Sequence, residues 1–178
     1  SRTRTRGVDV SARGKVDSPL GPIDLQLDGT YLVEFRSWSS VRSDWGDNLA
    51  GRGGYPRWRA TASATLKAGQ FAHTLAAAGQ MGTPLQGDYW DTTYSPEGCA
   101  SAGYTPQECR VAGHIRFDYG IAFTGLKNLT LSAQVRNVFN TRYPIGLASW
   151  LNGGGILPPT DEDAKGRLLR LTLQWTIR

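Results

Sequence analysis

The chain has 178 residues, of which 39% are hydrophobic, with 22 glycines, a single methionine and a net charge of +5. That is the length of one ordinary domain, and no run of about 18 apolar residues exists to make a membrane helix. The basic excess does not imply nucleic acid, because the arginines are spread singly through alternating segments and only the "RTR" near the start is dense.

Apolar residues at helical spacing are scarce, whereas period-2 alternation recurs along the chain, so the sequence reads as all-β. Seven strands are predicted, at about 5–16, 23–36, 57–67, 71–82, 111–123, 128–139 and 167–177. In the second, Ile23, Leu25, Leu27, Gly29, Tyr31, Val33 and Phe35 are expected on one face, against Asp24, Gln26, Asp28, Thr30, Leu32 and Glu34. The third and fourth are weaker, being rich in Ala and Thr. In the fifth, Ile115, Phe117, Tyr119, Ile121 and Phe123 oppose His114, Arg116, Asp118, Gly120 and Ala122. In the sixth, Leu129, Leu131, Ala133 and Val135 oppose Thr130, Ser132, Gln134 and Arg136. In the last, Leu169, Leu171, Leu173, Trp175 and Ile177 oppose Arg170, Thr172, Gln174 and Thr176.

The connections alternate strictly between short and long. "DSPLGP", "AGQ" and "TGLKN" are tight turns, whereas residues 37–56, 83–110 and 140–166 are long loops. Short turns on one side and long loops on the other are the rule in transmembrane β-barrels. Strand length agrees, since a tilted strand needs about 9–11 residues to cross the hydrocarbon core, against about 5–6 in globular sheets. Aromatics gather near strand ends: Phe35, Trp38, Tyr55, Trp58, Phe139 and Tyr143 towards the loops, and Phe71, Phe123 and Trp175 towards the turns. Two interfacial girdles would sit there. An odd number of passes suits a piece cut from the C-terminal end of a larger barrel. The rival is a soluble sandwich with aromatic core ends. Cys99 and Cys109 lie in a polar stretch without CxxC or a spaced His, which points to a disulfide in an oxidising compartment rather than to zinc; two unpaired thiols are the alternative.

Particular segments carry a family resemblance. "LTLSAQVRNVFNTRYP" resembles the penultimate-strand signature of TonB-dependent outer-membrane receptors, in which an alternating strand ends in Asn-(Leu/Val)-Phe-(Asp/Asn) before Tyr-Pro or Pro-Pro. "GRLLRLTLQWTIR" is similar to their closing strand, and "TRGVDVSARGKV" and "DGTYLVEFRSW" to earlier ones. "CASAGYTPQECRVAGHIRFDYGIAF", a loop cysteine pair leading into a strand with a mid-strand Asp, also recurs in the family. The resemblance implies an antiparallel transmembrane β-barrel segment of about seven strands, the C-terminal part of a plugged barrel of about 22 strands. Residues 1–178 would form one unit without the plug domain. Implied partners are outer-membrane lipid, the TonB-ExbB-ExbD complex acting through a plug domain, the barrel-assembly machinery and a small nutrient ligand: a ferric siderophore, cobalamin or an oligosaccharide. The long loops would be extracellular and the C-terminus periplasmic. The family usually ends in Phe or Trp, whereas this chain ends Trp175-Thr176-Ile177-Arg178.

The sequence offers no catalytic motif: no Walker loop, no G-x-S-x-G and no H-E-x-x-H. His73 and His114 stand alone on different strands and are expected in the lumen or on the surface. No enzyme activity, cofactor or metal is expected, and "TDEDAKG" lacks the spacing of a calcium loop. The candidate ligand-binding residues are the loop aromatics and their acidic neighbours: Trp38, Trp45, Tyr55, Asp88, Tyr89, Trp90, Asp91, Tyr94 and Trp150, with Tyr104 beside them. Rings flanked by polar groups suit stacking on a sugar or an aromatic siderophore. A soluble carbohydrate-binding module using the same rings, and a barrel remnant without transport function, are the other readings.

Overall fold

The computed structural model describes residues 2–41, 43–52, 55–84, 96–101, 103–107, 109–142 and 166–176. Its strands are β1 (Thr3–Ser18), β2 (Gly21–Ser39), β3 (Asp44–Trp45), β4 (Trp58–Ala68), β5 (Phe71–Gln80), β6 (Thr83–Pro84), β7 (Arg110–Val111), β8 (His114–Leu126), β9 (Leu129–Arg136) and β10 (Leu168–Trp175). The seven long strands are the seven expected from alternation. The short pairs β3 with β2 and β6 with β7, and a six-residue helix α1 (Pro96–Ser101), are additions inside the long connections.

The long strands pair antiparallel in chain order, β1-β2-β4-β5-β8-β9-β10. The sheet is not closed, so β1 and β10 are its two edges. Turns of two residues join β1 to β2, β4 to β5 and β8 to β9. Gly21 follows the first of these at φ 135°, and a Cβ there would run into the Lys67 carbonyl, so only glycine fits. Asn128 turns the third hairpin with φ 60°, a conformation that asparagine tolerates better than most residues.

The registers line up into rows that cross the sheet. One runs Val16, Ile23, Leu66, His73, Ile121, Ala133 and Leu171. The row beside it runs Lys15, Asp24, Thr65, Thr74, Gly120, Gln134 and Arg170 on the opposite face. Period-2 alternation, kept in register through seven strands, thus sorts the sheet into one apolar and one polar face. The polar face carries cross-strand contacts: Lys67 with Asp24 at 2.6 Å, Ser11 with Asp28 at 2.7 Å, and the Thr65 and Thr74 hydroxyls at 2.9 Å.

The apolar face has no second layer over it among the described residues. Val8, Val10, Leu27, Leu75, Ile115, Leu169 and Leu173 lie on it and all are exposed, Leu171 at 85%. Among the described residues the buried hydrophobics are instead small residues of the long connections, Ala50, Cys99 and Cys109. A sandwich would bury this face against another sheet, and no such sheet is present among the described residues.

His73 sits on the uncovered apolar face, at the surface and not in the lumen, where its Nδ1 lies 2.7 Å from the Tyr119 hydroxyl. That partner satisfies a ring nitrogen that would otherwise meet only apolar neighbours.

Candidate functional site

The alternation of β2 breaks near its upper end. Gly7 pairs with Leu32 and Arg6 with Glu34, which leaves Val33 as an extra residue on β2. This is a β-bulge, and an inserted residue shifts the parity of every side chain beyond it. Gly7 is required at the crossing, because a Cβ there would lie 2.9 Å from the Tyr31 carbonyl oxygen. β1 has no inserted residue, so Arg4 and Arg6 continue the face of Val8, Val10 and Ala12. Glu34 and Arg36, opposite Arg6 and Arg4, join them on that side. Phe35, opposite Thr5, passes to the polar side. The expected face of Tyr31, Val33 and Phe35 is therefore corrected: the bulge ends it at Tyr31.

The loop after β2 closes the gap that the bulge opens. The Asn48 side chain donates to the Val33 carbonyl at 3.0 Å and accepts from the Phe35 and Ala50 amides, each at 3.0 Å. Leu49 and Gly46 then donate backbone bonds to Phe35 and Ser37. Apart from the Ala50 bond, which is internal to the loop, each of these pairs answers a backbone group of β2 that β4 is too short to reach.

Two aromatic groups result. Phe35 and Tyr55 stack at 4.3 Å between centroids on the polar side. Trp38 and Trp45 meet edge-on at 5.5 Å, with the Arg4 guanidinium 4.6 Å from the centre of the Trp45 ring. Arg4 lies on the apolar side, so this pair does too. The structure thus divides the expected binding residues: Trp38 and Trp45 come together, and Tyr55 is separated from them by the sheet.

Beside the tryptophan pair, Glu34 collects three cations. Arg36 Nε lies 3.0 Å, Arg6 Nε 3.2 Å and Arg4 4.0 Å from its carboxylate, although the Arg36 N–H is not aimed at the oxygen. Glu34 is mostly covered, whereas Arg6 is 68% exposed. The sequence contains these residues, but only the bulge brings them to one face.

The other loops are held by local devices. Cys99 and Cys109 form a disulfide that ties α1 to the segment before β7. "NVFN" is a turn in which Asn137 and Asn140 take φ of 53° and 52°. The Asn137 amide donates to Asp118, while Asn140 Oδ1 accepts from the Arg167 amide at 3.1 Å and so ties the end of β9 to the start of β10. Phe139 packs edge-on against Phe117 at 5.5 Å on the apolar side. Tyr104 is exposed. The candidate residues Asp88, Tyr89, Trp90, Asp91, Tyr94 and Trp150 lie outside the described residues.

No family model matches the chain, and no curated protein does. A mutant of the ferric enterobactin receptor PfeA from Pseudomonas aeruginosa matches it in structure, with a TM-score of 0.55 and 15% identity over 96% of this chain. The match takes up 22% of the receptor chain, so this chain spans a small part of that protein's length. The likeness establishes the fold. The chain is an open segment of an antiparallel β-barrel fold. No helix among the described residues is long and apolar enough to cross a membrane, which says nothing against crossing by strands.

Proposed function

We propose that this chain supplies barrel strands and external loops to a TonB-dependent outer-membrane receptor, a transporter for a scarce nutrient rather than an enzyme. The observation that carries this reading is the apolar face, continuous from β1 to β10 and uncovered among the described residues. In water such a face would drive aggregation, whereas hydrocarbon is its natural solvent. The opposite face, with Asp24, Thr65, Thr74, Gln134 and Arg170, then lines a wet lumen. The segment signatures in the sequence support the same family, and the match to a ferric enterobactin receptor favours a ferric siderophore over cobalamin or an oligosaccharide.

In this reading the long loops are extracellular, the turns are periplasmic, and strands of the same barrel pair with the edges of β1 and β10. Energy arrives from the TonB-ExbB-ExbD complex through a plug domain, and the barrel-assembly machinery inserts the strands. Ligand capture falls to loop residues above the polar side, of which Tyr55, stacked on Phe35, is the described example.

The test is the solution behaviour of the full-length protein. It should fractionate with outer membranes, require detergent for extraction and change its gel migration on heating. A protein that stays monodisperse in plain buffer overturns the proposal and favours a soluble binding module.

A further inference from the structure

Arg4, Arg6 and Arg36 stand on the apolar face, at its long-loop end, not over the polar side where a nutrient would pass. Below them on the same face come Val8, Val10 and Tyr31, and then an open groove of about 590 Å³ lined by Ala12, Leu25, Leu27, Ala62, Leu75 and Phe117. Three guanidinium groups share one carboxylate, Glu34, so the cluster keeps an excess of two positive charges. Arg6 in particular is turned to the outside. Trp38 and Trp45 flank the cluster, and rings of this kind favour the headgroup zone. A cationic group directly above a hydrocarbon-facing surface meets the headgroups of the surrounding leaflet.

We propose that Arg4, Arg6 and Arg36 bind the phosphate groups of an acylated lipid in the leaflet at the long-loop end, with its acyl chains lying along the groove below. This rests on the membrane-barrel reading. Guanidinium forks suit phosphate oxygens, and Arg is less strongly hydrated than Lys, so the pairing survives partial desolvation. Glu34 holds the three side chains in place and lowers their net charge. Trp38 and Trp45 accordingly serve the lipid boundary instead of the nutrient.

The experiment uses the full-length protein, delipidated in nonionic detergent and titrated with a bis-phosphorylated acyl disaccharide lipid while bound lipid is counted by native mass spectrometry. The same lipid stripped of its phosphates is the reference. The R4A/R6A double variant should weaken binding of the phosphorylated lipid roughly 25-fold, at roughly fivefold per arginine, and leave the stripped lipid unaffected. Glu34→Gln should tighten the phosphorylated lipid, an effect that a purely structural role for Glu34 would not produce. Arg170→Ala, on the polar face and away from the groove, should change nothing. Equal binding of the two lipids, or an unchanged affinity in R4A/R6A, overturns the proposal. So does inorganic phosphate binding at the cluster with the affinity of the lipid, which would make it a site for free phosphate. A correctly folded, detergent-dependent barrel with no phosphate preference sinks this inference alone; a protein soluble without detergent sinks the membrane reading as well.

Discussion

The backbone amide of Asn137 donates to the Asp118 carboxylate at 2.8 Å, which fixes the end of β9 to the middle of β8. Arg116 donates to the same oxygen at 3.1 Å, and the Asn137 side chain makes two further bonds with the backbone of Thr141, at 2.8 and 2.9 Å. Asn137 is buried and left-handed, so one residue ends the strand, turns the chain and caps the turn. Asn137→Ala should cost roughly 2–4 kcal/mol, from the lost side-chain bonds and the strain of positive φ in alanine. Asn137→Gly should recover the conformational part. Urea unfolding of the vesicle-embedded protein, followed by tryptophan fluorescence, checks both; equal stability of the alanine and glycine variants would remove the conformational argument.

Exposure on the apolar face predicts a result opposite to that of a soluble surface. Leu169 is 73% exposed, and in water an arginine there would shift stability by no more than about 0.5 kcal/mol. Facing lipid, Leu169→Arg should cost roughly 2–4 kcal/mol near the midplane and less towards an interface. Thr172→Arg, on the polar face of the same strand, should be nearly neutral. Folding yields into vesicles of both variants decide the matter, and a tolerated Leu169→Arg would contradict the assignment of faces.

The division of the aromatic residues predicts separate phenotypes. Tyr55→Ala removes a ring above the polar side and should weaken ligand affinity roughly 2- to 10-fold. Trp38→Ala should leave ligand affinity unchanged, because its ring lies with Trp45 and Arg4 on the other side. Titration of the full-length protein with a ferric siderophore, the ligand class proposed above, separates the two, and equal losses would mean that the loops bring both faces to one ligand.

The Cys99–Cys109 disulfide closes a loop with a sequence separation of 10 residues. Closure of so short a loop constrains the open chain by about 2–3 kcal/mol in the entropy model. Both cysteines are buried, but the contact is local to the connection between β6 and β7. Cys99→Ser with Cys109→Ser should therefore speed amide exchange in residues 96–113 without altering protection in β5 or β8. Slower refolding of the whole sheet would show that the loop matters beyond its own neighbourhood.

Much of this fold is legible from local pattern, because a strand's two faces follow from chemistry every second residue. The alternation of Leu169, Leu171 and Leu173 with Arg170, Thr172 and Gln174 is sufficient to define β10, its faces and the need for an apolar surrounding. The turns, the long loops and the cysteine pair are equally local signals. What the alternation lacks is any mark of the bulge at Val33, since "TYLVEF" reads as unbroken alternation. An extra residue becomes visible only when β1 is laid against β2, and it depends on the close approach of Gly7 to Tyr31. The tertiary structure alone therefore decided that Phe35 and Glu34 exchange faces, that Trp38 and Tyr55 part company, and that Arg4, Arg6 and Arg36 gather at the rim. Side-chain identity and period are properties of one strand, whereas parity across a bulge is set by the pairing of two.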